Sequence, residues 1–202
     1  MTDINFLVTL IAFYFVMYAT PGPNNALVLA SGLKFGFLKT IPVMAGITFG
    51  HIIQLIIVCL GFGKVFQLYP NIQIWLKILC SAYMVYLCYK VIGSLSSFKQ
   101  NDAKPIKFYE AALFQIVNPK AWTISTMAAS GFIINEANLI ESIIIISSVA
   151  LIVCPLSISP WAGFGSAIKT FIKNRRAKII IEYTLAALLL ITAALIILEI
   201  RW

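Results

Sequence analysis

The sequence predicts an all-α integral membrane protein in which six transmembrane helices form two inverted three-helix repeats. Of its 202 residues, 61% are hydrophobic and only 11% are charged. A soluble domain usually carries roughly 25% charged residues, because its surface must face water. The apolar residues also fall in six long runs, each near the roughly 20 residues that a helix needs to cross the hydrocarbon core of a bilayer. Lipid is therefore the expected solvent for most of the side chains.

The six predicted spans are separated by short connections. They cover approximately residues 4–28, 41–63, 71–93, 108–134, 139–162 and 178–200. Proline interrupts the first span at residues 21–23 and the fourth at residues 118–119, because it removes a backbone donor and its ring clashes with the preceding turn. The fifth span is expected to end in the proline- and glycine-bearing stretch at residues 154–165, with Trp161 as an anchor at the membrane surface.

The net charge of +8, from 15 Lys and Arg against 7 Asp and Glu, predicts how the chain lies in the membrane. Most basic residues fall in the first, third and fifth connections, namely Lys34, Lys39, Lys90, Lys99, Lys104, Lys107, Lys169, Lys173, Arg175, Arg176 and Lys178. The second and fourth connections hold only Lys64 between them. Because cytoplasmic connections are enriched in Lys and Arg, we expect the odd-numbered connections in the cytoplasm and both termini outside. This placement favours an anionic membrane leaflet as the partner of the basic residues, and no nucleic acid is expected.

The chain divides near residue 100 into two halves of three predicted spans each, at about 1–100 and about 105–202. An odd number of spans in each half forces the second half to insert upside down relative to the first. The two halves also share sequence features. Each has one proline break, and the Ala-Ser-Gly at residues 30–32 recurs at residues 129–131. Inverted repeats of this kind are a common plan of membrane transporters.

The first proline break is the strongest candidate site, and it comprises Pro21, Gly22, Pro23, Asn24 and Asn25. Its two prolines leave backbone carbonyls without helical partners, and Gly22 adds backbone freedom. Lipid supplies no hydrogen bonds, so such a break is tolerated where it faces protein or a water-filled cavity. Two interpretations are open. Either the break lines a substrate site with the Asn24 and Asn25 side chains, or it is a helix end at the membrane surface where Asn24 caps the next helix.

The second proline break comprises Asn118, Pro119 and Lys120, and Gln115 lies on roughly the same helical face. A lysine near the middle of a span costs at least about 2.5–3.5 kcal/mol on insertion scales. Lys120 therefore either faces a cavity, where it can hold a substrate carboxylate or take part in coupling, or snorkels to an interface.

His51 is the only histidine, and it lies at the centre of the second predicted span with Gln54 on the same face. Histidine exchanges protons near physiological pH, which suits a role in proton coupling. A neutral histidine that hydrogen-bonds between helices is the alternative.

Glycines spaced as GxxxG, at Gly46 and Gly50 and at Gly32 and Gly36, are expected to let helices pack closely. The sequence lacks the GxxxxGK[ST] phosphate loop and the HExxH and GxSxG motifs of hydrolases. Its four cysteines include no CxxC pair. We therefore expect no enzyme activity, no cofactor and no metal site.

Several motifs are similar to those of one family of membrane proteins. They are residues 21–32 (PGPNNALVLASG), 34–37 (KFGF), 45–50 (AGITFG), 82–83 (AY), 86–87 (YL) and 111–121 (AALFQIVNPKA), together with Lys77 and Phe108. On these motifs, and on its length, span number and basic fifth connection, the sequence resembles the LysE/RhtB family of bacterial amino-acid exporters. The match covers nearly the whole chain and becomes loose after Gly131.

The resemblance implies a single transmembrane transporter domain over residues 1–202, located in the bacterial inner membrane as a multi-pass protein. It implies a secondary transporter that exports amino acids or close derivatives by alternating access. Neutral substrates such as cysteine and O-acetylserine, or threonine and homoserine, are favoured over basic ones. The partners are then the amino-acid substrate and the lipid bilayer, with a homo-oligomer as an open option. Both proline breaks and Gln115 are expected to line the route, with His51 as a candidate for coupling. A passive channel, or a membrane-embedded subunit without transport of its own, is the alternative.

Overall fold

A computed structural model describes the protein over residues 3–62, 68–92, 105–133, 138–171 and 174–198. Over these ranges the chain is built of eight α-helices. They are α1 Ile4–Ala19, α2 Pro23–Phe35, α3 Phe37–Ile57, α4 Pro70–Val91, α5 Phe108–Val117, α6 Pro119–Phe132, α7 Leu139–Phe171 and α8 Arg175–Leu198. A π-helical turn, Val58–Phe62, prolongs α3. The basic residues Lys64, Lys99, Lys104 and Lys173, and the predicted boundary near residue 100, lie outside the described residues.

Three of these helices are long and apolar enough to cross a membrane: Phe37–Gly61, Leu139–Phe171 and Arg176–Leu198. The first two helices, α1 and α2, are bent by 60° at the break between them and meet the same criterion when taken together. The described residues therefore hold three candidate spans, or four if the bent pair is one span. The predicted third and fourth spans are also helical, but their apolar helices, Ile74–Tyr89 and Phe108–Val117, are shorter. Six spans in two inverted repeats therefore stay a prediction.

Large apolar side chains are exposed along the outside of the long helices. They include Phe49 and Ile53 of α3, Leu151, Ile152 and Leu156 of α7, and Leu188, Leu190, Ile191 and Leu195 of α8. Soluble monomers rarely expose contiguous apolar patches of this extent, because water would have to cover them. Over the described residues the predicted all-helical architecture is confirmed, and its exposed apolar surface is that expected of a membrane protein.

Both predicted proline breaks fall between two helices. The first separates α1 from α2 after Ala19, and the second separates α5 from α6 at Asn118. In each case a proline, Pro23 or Pro119, is the first residue of the new helix. Its missing N–H costs nothing there, because the first donors of a helix have no intrahelical partner. The two interruptions are confirmed.

The fifth predicted span does not end at its prolines, because α7 runs unbroken over Leu139–Phe171 with Pro155 and Pro160 inside it. The predicted end is therefore wrong. Part of the reason is local. Pro160 leaves the carbonyl of Leu156 without its usual N–H donor, and the Ser159 hydroxyl donates to that carbonyl at 3.0 Å instead. The rest is tertiary, because this part of α7 packs closely on α2.

Glycines let the backbones of α2 and α7 touch. A Cβ at Gly32 would meet the backbone of Ala162, and a Cβ at Gly165 would lie 2.8 Å from the backbone nitrogen of Leu33. Any larger side chain at either position would push the two helices apart. The contact fixes α7 against the helix that begins at the first proline break.

A second glycine contact joins α3 to α5. A Cβ at Gly46 would collide with the carbonyl of Phe108, and a Cβ at Gly50 would lie 2.8 Å from the Cα of Ala112. The predicted close packing is thus confirmed for this GxxxG pair. Gly36 differs, because it forms the turn between α2 and α3 with φ of +90°, a conformation that glycine adopts without a steric penalty.

Substituting Gly46 by alanine is expected to lower the melting temperature of the detergent-purified protein by at least about 2 °C, because overpacking a helix contact costs roughly 1–3 kcal/mol. The matched control is Gly163→Ala, since a Cβ at Gly163 has no atom within 4 Å. The control is expected to melt with the wild type. Equal melting temperatures for the two variants would contradict the α3–α5 contact.

Candidate functional site

The two proline breaks meet through three amide side chains, Asn24, Gln115 and Asn118, here called the amide cluster. Asn24 Nδ2 donates to Gln115 Oε1 at 3.0 Å, and Gln115 Nε2 donates to Asn24 Oδ1 at 3.0 Å. Asn118 Nδ2 donates to the same Asn24 Oδ1 at 2.9 Å. Gln115 and Asn118 are each 1% exposed, whereas Asn24 is partly exposed. A side chain from the first half of the chain is thereby bound to two from the second half.

Lys120, in the first turn of α6, reaches across to the first break. Its Nζ donates to the carbonyl of Thr20 at 2.7 Å, to the Thr20 hydroxyl at 2.8 Å and to the carbonyl of Pro21 at 3.3 Å. The ammonium group therefore takes its partners from the opposite break. Charge-assisted bonds of this kind are stronger than neutral ones.

Lys120 reaches the first break by crossing the face of Gly22. A Cβ at Gly22 would lie 2.9 Å from Lys120 Cδ and 3.2 Å from Lys120 Nζ. The φ of Gly22 is 176°, which is extended backbone that any residue adopts. The backbone freedom that the sequence suggests is therefore not used at Gly22, and a Cβ there would require the flexible end of the Lys120 side chain to shift.

Asn25 closes the first break by bonding to the end of α1. Its Nδ2 donates to the carbonyls of Tyr18 at 2.9 Å, Ala19 at 3.3 Å and Thr20 at 2.7 Å. A helix leaves its last carbonyls without intrahelical donors, and these bonds supply some of them. Trp161 adds another, since its Nε1 donates to the Ala19 carbonyl at 3.3 Å. Trp161 lies within α7 against the break and not at a helix end, where the sequence had placed it.

His51 is buried beside the two breaks, with 1% of its surface exposed. Its ring packs edge-on against Tyr18, with the ring centroids 5.3 Å apart. One turn further along α3, Gln54 Nε2 donates to the backbone carbonyl of Gln115 at 3.2 Å. Within the described ranges, the buried atoms His51 Nε2 and Asn25 Oδ1 have no hydrogen-bond partner. Buried polar atoms of this kind favour a polar ligand or water nearby.

Three adjoining cavities lie around α2. The smallest, of about 10 Å³, is lined by residues of both breaks and by His51, and its size is close to the roughly 10–15 Å³ that one water molecule needs. A second cavity, of about 180 Å³, lies between α2 and α8, and a third, of about 460 Å³, lies between α2, α4 and α5. The second shares Gly22 and Asn25 with the smallest and Ala30 and Val91 with the largest. Separate cavities therefore lie side by side along α2, and the smallest of them lies where the breaks meet.

A family model described as "LysE type translocator" matches residues 15–199 of the chain. The chain belongs to the LysE type translocator family. Relatives named cysteine/O-acetylserine efflux protein come from Escherichia coli, Shigella flexneri and Shigella sonnei. Each is 29% identical to the chain over 147 residues, which are 72% of this chain and 75% of the relative. No solved structure matches the chain.

The family match confirms the resemblance inferred from the sequence motifs, and with the apolar helices it makes the chain a multi-pass membrane protein. In this LysE type translocator the candidate residues of the sequence fall in one region. Pro21, Gly22, Asn24, Asn25, His51 and Lys120 line cavities, Pro23 and Pro119 begin α2 and α6, and Gln115 and Asn118 complete the amide cluster. Their role in transport stays a prediction.

The candidate site carries both signs of partial charge. Gly22, the residue before α2, makes no side-chain cap bond, so the start of α2 presents backbone donors and the positive end of its dipole. Asn24 lies inside α2 and bonds to α5, so the interpretation that it caps the helix is wrong. The carbonyls of Thr20 and Pro21 supply the negative ends of backbone dipoles within reach of Lys120. Donors and acceptors suited to a zwitterion are thus close together.

Proposed function

We propose that this LysE type translocator is a secondary transporter that exports small neutral amino acids, or close derivatives of them, across the bacterial inner membrane. The observation that supports the proposal is the contact between the two breaks, made by the amide cluster and by the bond from Lys120 to Thr20. Transporters built from inverted repeats bind their substrates at the repeat interface, near helices that are broken there. Six spans in two inverted repeats, within one domain, are part of the same proposal.

The charges at the breaks suit the two ends of an amino acid. The Lys120 ammonium and the uncapped start of α2 attract a carboxylate. When the carboxylate draws Lys120 towards it, the carbonyls of Thr20 and Pro21 lose the ammonium group that they bind in this structure. The substrate ammonium group takes over these carbonyls. The substrate ammonium group thus replaces the Lys120 ammonium group at these carbonyls. No backbone acceptor is then left unpaired in a low-dielectric site.

The amide cluster closes the route between the halves in this conformation. Its three hydrogen bonds join Asn24 to side chains that lie more than 90 positions further along the chain. Neutral hydrogen bonds contribute only about 0.5–1.5 kcal/mol each, so bound substrate can replace them with its own. In alternating access the cluster therefore opens on one side of the substrate and re-forms after its release.

Neutral substrates are favoured by the lining of the small cavity. Among the residues described around it, Lys120 and His51 are the basic side chains, and there is no carboxylate. The second positive charge of a basic amino acid would have no partner there, which is costly in a buried site. The names of the curated relatives, cysteine/O-acetylserine efflux proteins, support the same substrate class.

His51 is proposed as the coupling residue. It lines the same small cavity as Asn24 and Lys120. A proton that enters this cavity with or against the substrate meets the imidazole there, so the export rate depends on the pH gradient. The surrounding partner of the protein is the lipid bilayer, and nucleic acid has no role in the proposal. One chain completes the proposed site, so the proposal does not require a homo-oligomer.

The proposal is tested by efflux from inside-loaded vesicles that contain the purified protein. Small neutral amino acids, with cysteine and O-acetylserine among them, are expected to leave with saturable kinetics. Their kcat/KM is expected to exceed that of lysine at least about tenfold, because discrimination against an unpaired buried charge is worth more than about 1.4 kcal/mol. An imposed pH gradient is expected to change the rate. Flux that grows linearly with concentration and does not distinguish amino acids would indicate a pore, and no flux at all would refute the export function.

A further inference from the structure

We propose, on the basis of the function above, that the cavity of about 460 Å³ is a second substrate site in which Lys34 and Glu110 hold the zwitterion before it reaches the proline breaks. The cavity is called the vestibule below. Its volume lies within the roughly 300–1,000 Å³ range of pockets that bind small molecules. It is largely apolar, and it holds one basic and one acidic side chain among its lining residues.

The inner end of the vestibule lies beside the amide cluster. Leu27 of α2 and Val117 of α5 line it, and each lies within one helical turn of a member of the cluster. α2 leads away from the first break, whereas α5 leads towards the second. Lys34 lies seven residues after Leu27, and Glu110 lies seven residues before Val117. At about 1.5 Å per residue, both charges are therefore about 10 Å from the inner end.

The charged end of the vestibule is the open one. Glu110 is exposed and Lys34 is half-buried, whereas Leu27 is 1% exposed and Phe114 is 6% exposed. Lys34 belongs to the basic first connection, and Glu110 follows Lys107 of the basic third connection. Both connections are predicted to be cytoplasmic by their positive charge. An exported substrate would therefore meet this pair of charges first.

Aromatic rings form one wall of the vestibule. The ring centroids of Tyr83 and Phe114 are 4.6 Å apart, and those of Tyr83 and Tyr86 are 5.9 Å apart. All three rings line the cavity. Their faces attract an ammonium group and cover the short side chain of a small amino acid. Ser31, whose hydroxyl oxygen lies 2.9 Å from that of Thr40, adds a polar group part-way along α2.

The two charges match the two ends of a zwitterion. Lys34 has the sign that attracts a carboxylate, and Glu110 has the sign that attracts an ammonium group. Glu110 is also held in position, because its Oε2 accepts the backbone N–H of Lys107 at 2.7 Å. A net-neutral amino acid leaves the charge of the vestibule unchanged, whereas a basic one adds a positive charge near Lys34. The vestibule therefore selects neutral substrates before they reach the breaks.

Lys34→Met and Glu110→Gln test the vestibule in the vesicle efflux assay, with the amino acid that the wild type exports. Each variant is expected to raise KM about fivefold, with a smaller change in kcat, because one of the two charges that hold the incoming substrate is lost. The glutamine keeps an oxygen that accepts the N–H of Lys107, so the start of α5 is preserved. Exchanging the charges, as Lys34→Glu with Glu110→Lys, is expected to recover part of the affinity.

Lys39→Met and Glu141→Gln are the matched controls, since both residues are exposed and neither lines the vestibule. They are expected to keep the wild-type KM. Wild-type KM in both vestibule variants, with export intact, overturns the vestibule and leaves the proposed function standing. A wild-type protein that exports no amino acid overturns the proposed function itself. The same rise in KM in the controls would show a general charge effect and would also overturn the vestibule.

Discussion

Lys120→Met is expected to reduce amino-acid efflux at least about tenfold, a loss of about 1.4 kcal/mol of transition-state stabilisation. Lys120 supplies an ammonium group that binds the carbonyls of Thr20 and Pro21 across the two breaks. Methionine has a similar length and no charge, so it removes the carboxylate partner while it fills the same space over Gly22. The rate is measured with inside-loaded vesicles and is normalised to the amount of inserted protein.

Two variants make the Lys120 result specific. Lys39→Met removes a positive charge from an exposed position and is expected to export at the wild-type rate. Lys120→Arg keeps the charge but cannot place a compact ammonium group between three oxygens, so partial activity is expected. Efflux at the wild-type rate by a folded Lys120→Met protein would show that this lysine only stabilises the break.

Asn24→Ala is expected to have an effect of similar size, because Asn24 holds the amide cluster together. The substitution removes the two hydrogen bonds between Asn24 and Gln115. It also removes the oxygen that accepts from Asn118 Nδ2. Each buried polar atom left unpaired costs about 1–3 kcal/mol, so water or a distorted contact replaces the closed cluster. Efflux is expected to fall at least about tenfold, since the route then no longer closes behind the substrate.

The control for Asn24 is Asn5→Ala, because Asn5 is exposed and its side-chain amide donates to Asp3, two residues earlier in the chain. Both variants are expected to insert and to elute as single species by size-exclusion chromatography, since the glycine contacts of α2 with α7 are untouched. An Asn24→Ala protein with unchanged kinetics would contradict a gating role of the cluster.

The two breaks could be predicted from the sequence because the effect of proline is local. Pro23 and Pro119 each begin a new helix, since the ring of proline disfavours a helical turn before it. The same rule failed for Pro155 and Pro160, which lie inside α7. At Pro160 the Ser159 hydroxyl replaces the missing donor, and α7 packs closely on α2. Whether proline ends a helix thus depends on partners that a sequence pattern does not reveal.

The contact between the breaks could not be predicted residue by residue. Asn24 and Gln115 are 91 positions apart, and only the packing of the helices brings their amides to 3.0 Å. Most acceptors for Lys120 and Trp161 are backbone carbonyls of residues 19–21, which every residue type possesses. No side-chain pattern marks such acceptors. The residue types therefore indicated which positions carry polar side chains near the breaks. The hydrogen-bond partners of these side chains depended on the fold.

Binding of the exported amino acid to the purified protein tests whether the substrate site lies where the two breaks meet. Calorimetric titration with the exported amino acid is expected to give saturable binding for the wild type and for Lys39→Met. For Lys120→Met and Asn24→Ala the affinity is expected to be weaker by about tenfold or more, since the carboxylate partner or the cluster is lost. Unchanged affinity in both of these folded variants would contradict a substrate site at the two breaks and would place the substrate elsewhere in the protein.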